Sequence, residues 1–275
     1  MLHFKYEGNP MEFSVALLQF RPTRKNLPQN IRKIQSLLQD IKADLIVLPE
    51  LSNSGYFYPS TESLLPFSEP SNGDGKFLKA LQELAKCTKG VIVSGYAERS
   101  KNQLYNSAVA ISNKGVLANY RKTHLYADEK NLFLSGDSGF VTFTWKGVKI
   151  GMMVCFDWIF PESARSLSLA GAQIIAHPAN LVLPYCQNAM VTRSIENKVF
   201  TITANRIGKE KLGKNKLNFT GQSQITGPKG EVYFRGPKYK TTVHVMTIDP
   251  DRAVTKRLNA VNDLFKDRRP KLYKT

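Results

Sequence analysis

Cysteine is scarce in this chain: three in 275 residues, at positions 87, 155 and 186. No pair has C-x-x-C spacing, and the four histidines, at 3, 124, 177 and 244, are scattered. An odd thiol count with no export signal argues against a disulfide framework. No ligand spacing suggests a metal site. Glycine-rich phosphate loops are missing as well, so no nucleotide is implied and no cofactor is expected. Every apolar run is shorter than ten residues, too short to span a bilayer. The first eight residues, from Met1 to Gly8, lack the apolar stretch of a leader. The expectation is a cytoplasmic protein with no membrane partner.

Acids are also few. Asp and Glu number 22 against 39 Lys and Arg, a formal charge of +17. Such a balance raises the question of nucleic acid. The distribution answers against it, because bases lie beside acids along the whole chain and only residues 209–216 and 256–274 are dense. Zinc-finger and aromatic RNP patterns are absent. The charge therefore reads as a solvated surface, with attraction of anionic substrates as a milder role. No nucleic-acid partner is expected.

What is present suits a packed domain. Apolar residues make up 42% of the chain, enough for a sizeable core. Residues 13–20 read as a strand. Ile31, Ile34, Leu37, Leu38 and Ile41 then share one helical face, with Pro28 near its start. Residues 45–49 are a short buried strand ending at Glu50, so the chain opens β-α-β with parallel neighbours. A second helix carries Phe77, Leu78, Leu81, Leu84 and Ala85, and a strand follows at 91–95. Hairpins are predicted around Asn113-Lys114-Gly115, Lys146-Gly147 and residues 227–230. The second of these delivers Cys155. Helices are predicted from Pro161 to a stop at Gly171 and from about Pro184 to Lys198, with strands at 173–177, 200–204 and 242–248. No linker or repeat divides the chain. Strands alternating with helices but interrupted by hairpins suit two packed mixed sheets with helices outside. The domain is placed at 11–250, with a basic arm at 251–275.

Three strand ends carry reactive side chains, where open α/β sheets place their chemistry. Cys155 on its own reads as a buried small hydrophobe. Its place at a strand end, before Asp157 and a helix opening at Pro161, suits a nucleophile whose thiolate a helix N-terminus would favour. Glu50 reads either as a loop carboxylate or as a base fixed by Pro49. Arg121 and Lys122 point to opposite sides if the strand continues, so one of them faces inward. Lys122 is the choice, as an oxyanion holder that would also lower the thiol pKa. Gly136-Asp137-Ser138-Gly139 looks like a serine-protease motif but has no partner signature, and reads as a polar loop. A Cys–His couple through His124 or His177 lacks the local signature of a papain-like site. His177 reads instead as capping a strand end near the pocket.

The ordered set Pro49-Glu50-Leu51, Tyr120-Arg121-Lys122 with His124-Leu125, and Cys155 through Glu162 resembles the nitrilase superfamily of carbon–nitrogen hydrolases. The reactive residues stand 72 and 33 apart. The stretch 162–208 looks especially like archaeal, thermophilic aliphatic nitrilases. The resemblance implies a four-layer α-β-β-α sandwich and a dimer, or a higher even-numbered assembly, stacked through helices near the cysteine, with the basic arm contacting a partner. It implies Glu50 as base, Lys122 as oxyanion residue, Cys155 as nucleophile and Glu129 as a second glutamate orienting Lys122. The backbone N–H of Phe156 would complete the oxyanion hole.

The implied reaction is hydrolysis of a non-peptide C–N bond through a thioester. Tyr56, Trp158 and Asn180 are the candidate substrate-binding residues, with core packing an open alternative for the two aromatics. The family's carbamoyl-amino-acid hydrolases carry paired arginines shortly after the cysteine. Here Asp157-Trp158-Ile159 stands there, and Asp157 would repel a carboxylate. Arg165, further along the helix, is expected in a structural ion pair. Small aliphatic nitriles or primary amides lead, with carbamoylputrescine-type or ω-amide substrates as alternatives. A retired scaffold or basic nucleic-acid binder is the non-enzyme alternative.

Overall fold

A computed structural model describes residues 11–274. Residues 1–10, which include His3, and the last residue of the basic arm lie outside them. In chain order the elements are β1 (Phe13–Gln19), α1 (Leu27–Leu38), β2 (Leu45–Val47), α2 (Thr61–Leu64), α3 (Lys76–Thr88), β3 (Val91–Ser100), β4 (Gln103–Ser112) and β5 (Gly115–Arg121). The second half runs β6 (Thr142–Trp145), β7 (Val148–Met152), α4 (Pro161–Leu169), β8 (Ile174–Ala179), α5 (Cys186–Asn197) and β9 (Phe200–Asn205). It closes with β10 (Lys209–Leu212), β11 (Asn215–Asn218), β12 (Gln224–Thr226), β13 (Val232–Arg235) and β14 (Thr242–Ile248).

Two six-stranded mixed sheets result, in the orders β14-β1-β2-β3-β4-β5 and β13-β12-β9-β8-β7-β6. Each has three parallel strands at its centre, β1-β2-β3 in one and β7-β8-β9 in the other, flanked by antiparallel pairs. The central strands are buried on both faces, as parallel strands with covered faces must be. Val15 and Leu17, Leu45 and Val47, and Val91 and Val93 point between the sheets. Their neighbours Ala16, Leu18, Ile46, Leu48 and Ile92 point outward onto Ile34 and Leu38 of α1 and Phe77, Leu78 and Leu81 of α3. Each of the Val, Leu, Ile and Phe side chains among them contributes about 1.5–3 kcal/mol on burial. Helices α4 and α5 cover the other sheet, so the layers are α-β-β-α, as the resemblance implies.

Local signals account for the helix limits. Asn26 caps α1 through a 3.1 Å bond from the Gln29 N–H, and Pro28 sits in its first turn. Helices α3 and α5 stop at Lys89 and Lys198, both in the left-handed region. After α4 the chain turns at Gly171, whose φ of +91° explains the glycine.

One hairpin escapes the sequence. Residues 209–216 read as a solvated run of lysines, yet Lys209–Leu212 pairs with Asn215–Asn218 as a separate two-stranded sheet. Its one buried charge is Glu210. The C-terminal arm lies back on its own chain: Lys256 Nζ donates to the carbonyls of Asn197 and Lys198 at 3.0 and 2.9 Å, where α5 ends. No helix among the described residues is long and apolar enough to cross a membrane.

Candidate active site

Glu50 follows β2, where β3 crosses beneath it. The Gly95 N–H bonds the Pro49 carbonyl at 3.1 Å and the Ser52 N–H bonds the Gly95 carbonyl at 2.9 Å. Lys122 follows β5. Its N–H donates to the Asn106 carbonyl and its carbonyl accepts from the Gly136 N–H, each at 2.8 Å. The polar loop at 136–139 thereby acquires a role. A β-carbon on Gly136 would fall 2.0 Å from the Arg121 carbonyl oxygen, and Asp137 pairs with Arg121 at 3.2 Å. Arg121 turns outward to Glu98 at 2.7 Å while Lys122 turns inward, as strand alternation requires.

At the centre, the Lys122 ammonium is enclosed by carboxylates. Nζ lies 2.8 Å from Glu50 Oε1, and 2.9 and 2.7 Å from the two Glu129 oxygens. All three residues are buried. Glu129 is brought in by a short 3-10 turn at Ala127–Asn131, and also accepts from the Tyr126 N–H at 3.2 Å. Burial alone would lower the lysine pKa, but Glu129 and then Glu50 more than offset it and hold it well above its ordinary value. The site therefore keeps a fixed positive charge. Burial pushes the Glu50 carboxyl above its usual range, Lys122 pulls it back, and Glu129 adds to the push. Asn106 Nδ2 donates to the same Oε1 of Glu50 at 2.7 Å, leaving buried Oε2 without a partner. Asn106, an amide in the middle of β4 just before the apolar run Ala108–Ile111, is the signal that could have found it.

Cys155 opens a 3-10 turn, Cys155–Ile159, with φ of +43°, a strained conformation for a residue with a β-carbon. Two buried side chains hold the turn. His177 Nε2 lies 2.9 Å from the Cys155 carbonyl oxygen and its Nδ1 lies 3.1 Å from Thr203 Oγ1. Asp157 Oδ2 accepts from the Val154 N–H and the Tyr120 hydroxyl, both at 2.8 Å, while Oδ1 meets the His124 N–H and Nδ1 at 3.2 and 2.8 Å.

This geometry corrects four expectations. His177 sits inside β8 rather than capping a strand end, and burial lowers its pKa to about 4, so it is a neutral brace at working pH. Asp157 is engaged on both oxygens and does not line the cavity, so it presents no free carboxylate oxygen to a substrate there. Arg165 bonds the Glu196 backbone carbonyl at 2.7 Å and forms no ion pair among the described residues. The net direction at the thiol differs from the expectation: Lys122 does pull it down, as does the Asn180 backbone, but burial, and next the Glu50 charge, push Cys155 well above its ordinary value.

A cavity of about 20 Å³ adjoins the thiol, walled by Tyr126, Phe156, Trp158, Asn180 and Leu181 among others. Trp158 and Asn180, two of the candidate substrate-binding residues, are in its lining. Both polar atoms of the buried Asn180 side chain lack partners. Tyr56 does not line this cavity; its hydroxyl donates to Glu129 Oε1 at 2.7 Å. A larger cavity, about 540 Å³, lies elsewhere, between α4 and the C-terminal arm, and its lining holds no cysteine, serine or lysine beside a base.

Residues 14–257 match the family model for carbon-nitrogen hydrolases. A nitrilase of Pyrococcus abyssi is 42% identical over 262 residues, covering 94% of this chain and 98% of that one. An (R)-stereoselective amidase of a Pseudomonas species is 32% identical over 250 residues, covering 90% and 86%. The solved carbon-nitrogen hydrolase of Helicobacter pylori G27 superposes with a TM-score of 0.84 at 26% identity, covering 96% of this chain and 97% of that one. With that match spanning both sheets and all three reactive strand ends, the chain belongs to the carbon–nitrogen hydrolase family of the nitrilase superfamily and is a hydrolase.

Proposed function

We propose that the protein hydrolyses small aliphatic nitriles or primary amides to the carboxylic acid and ammonia, through a thioester on Cys155. The observation that carries this reading is the buried Glu50–Lys122–Glu129 cluster beside the thiol, with Glu50 Oε2 unengaged. Substrate carbon enters next to the sulfur. Glu50 takes the thiol proton as sulfur attacks. Burial raises the Glu50 carboxyl, which makes it a better proton acceptor than an exposed carboxylate. Negative charge develops on the substrate oxygen, or on the nitrile nitrogen, beside the Lys122 ammonium and the Phe156 backbone N–H. For an amide, the C–N bond breaks and Glu50 returns its proton to the departing nitrogen, which leaves as ammonia. For a nitrile, Glu50 passes its proton to the nitrogen to give the thioimidate, water adds to that, and the resulting tetrahedral adduct expels ammonia to leave the same thioester. A second water, deprotonated by Glu50, attacks the thioester. The C–S bond then breaks and the proton returns to sulfur, freeing the acid. Glu129 orients Lys122 throughout.

The cavity favours small acyl groups, with Trp158 restricting its width and the unpartnered Asn180 amide available to the substrate. No arginine stands at 157–159 to hold a carboxylate, so N-carbamoyl-amino acids should be poor substrates. The test is ammonia release by the purified protein from a small dinitrile, its half-amide, a simple aliphatic amide, carbamoylputrescine and an N-carbamoyl-amino acid. Turnover of the nitriles or simple amides is expected. No ammonia from any of them sinks the reading, and a preference for the carbamoyl-amino acid sinks the pocket assignment. Pairing of chains through the α4–α5 face, where Leu169 and Ile195 are exposed, belongs to the same reading. Light scattering that finds only a 30.9 kDa species would count against it.

A further inference from the structure

The hairpin of β10 and β11 reaches the catalytic cluster through one side chain. Glu210 is 6% exposed, although its neighbours along the strand are lysines. Its carboxylate accepts from two consecutive backbone N–H groups of the loop after Glu50, Phe57 at 2.7 Å and Tyr56 at 3.3 Å. On its other side it pairs with Arg206, which is fully buried just beyond β9. The Arg206 guanidinium lies 4.0 Å from the centre of the Phe219 ring, and Phe219 meets the Tyr56 ring edge-on at 5.8 Å. Tyr56 is therefore held at its backbone by Glu210 and at its ring by Phe219. Its hydroxyl then meets Glu129 Oε1, on the carboxylate that binds Lys122 through both oxygens.

A buried ion pair is an expensive way to hold a loop. Taking both charges out of water costs several kcal/mol per ion in general, and an apolar pair would often serve stability as well. Here the pair does something an apolar pair cannot: it supplies the acceptor for two backbone donors that set where Tyr56 points. Burial pushes the Tyr56 phenol well above its ordinary value, with the Glu129 and Glu50 charges adding to the effect, so the hydroxyl remains a donor.

We propose that Glu210, braced by Arg206, is a positioning residue for the reaction: it fixes Tyr56 so that the tyrosine hydroxyl holds Glu129, and through it Lys122, in the geometry that receives the developing negative charge. This rests on the reading of Lys122 and Glu129 given above. It also makes Tyr56 part of the catalytic support rather than a wall of the substrate pocket.

A double-mutant cycle of Glu210→Gln and Tyr56→Phe tests the chain of contacts. Tyr56→Phe removes only the hydroxyl and should lower kcat by about ten- to a hundredfold, the worth of one hydrogen bond to a charged group, with KM little changed. Glu210→Gln should lower kcat in the same direction in the native background and do little more in the Tyr56→Phe background. Losses that multiply, or a Glu210→Gln protein that loses thermal stability and keeps its kcat, overturn the proposal. The pH dependence of Cys155 alkylation by iodoacetamide is a second readout that needs no turnover. The thiol senses Lys122 and Glu129, so both single variants should move its profile in the same direction, and an unmoved profile also overturns the proposal. If the native protein turns over no nitrile or amide while the alkylation profiles shift together, the substrate reading fails and the positioning network stands.

Discussion

Gly95 passes so close beneath Glu50 that a β-carbon on it would lie 2.4 Å from the Glu50 α-carbon. The glycine is thus part of how the base is placed, although it carries no functional group. Gly95→Ala should displace the Glu50 backbone, cost about 1–3 kcal/mol of stability through overpacking and lower kcat disproportionately. Urea denaturation together with steady-state kinetics checks this. A variant with native kcat would mean that the loop moves without consequence.

Cys155→Ala should abolish turnover by several powers of ten while leaving the fold unchanged, since no other buried thiol adjoins Glu50 and Lys122 among the described residues. Near-native ammonia release from this variant would remove Cys155 as the nucleophile.

Glu50→Gln should separate reactivity of the thiol from turnover. The Glu50 charge is the second cause, after burial, that holds the Cys155 thiol up, and Lys122 opposes it. Neutralising Glu50 lowers the thiol pKa, so alkylation by iodoacetamide near pH 8 should accelerate. Turnover should still collapse, because the base is gone. Slower alkylation in Glu50→Gln would contradict the electrostatic account.

Glu129→Gln should reduce kcat by about a hundredfold, as Lys122 loses its bidentate carboxylate and the Tyr56 hydroxyl loses a charged acceptor. Native kinetics in this variant would reduce Glu129 to a loop acid.

His177 gives the fold an acid sensitivity with a definite sign. Its pKa falls from 6.5 in the unfolded chain to about 4 in the folded one, because burial disfavours the charged ring. Above 6.5 both states are neutral and nothing is lost. Between about 6.5 and 4 the unfolded chain takes up a proton that the folded chain refuses, so stability declines as pH falls. Below about 4 the loss levels off, near 3 kcal/mol. His177→Gln should flatten that window in urea unfolding at pH 7 and pH 4.5. An unchanged slope would show that other groups control acid unfolding.

The strand ends and their order were legible from the sequence because local chemistry announces them. Apolar runs at 45–49 and 150–154 stop at single reactive residues, and the Asn113-Lys114-Gly115 hairpin fixes where Lys122 emerges. Arg121 and Lys122 split to opposite faces by the period of a strand alone. Other features depended on neighbours far along the chain. The run of lysines does not say that Glu210 is buried, since beyond nearby Arg206 its partners lie in a loop about 150 residues earlier. Asp157 seemed to face the substrate, but contacts with Tyr120 and His124 turn it inward. Cys155 sits at a strand end as the sequence indicates. Its left-handed backbone and raised thiol pKa come from the tertiary structure, which removes water and places Glu50 beside it. Sequence spacing selects the reactive groups; the distances between them, and the burial that sets their charges, exist only once the two sheets are packed.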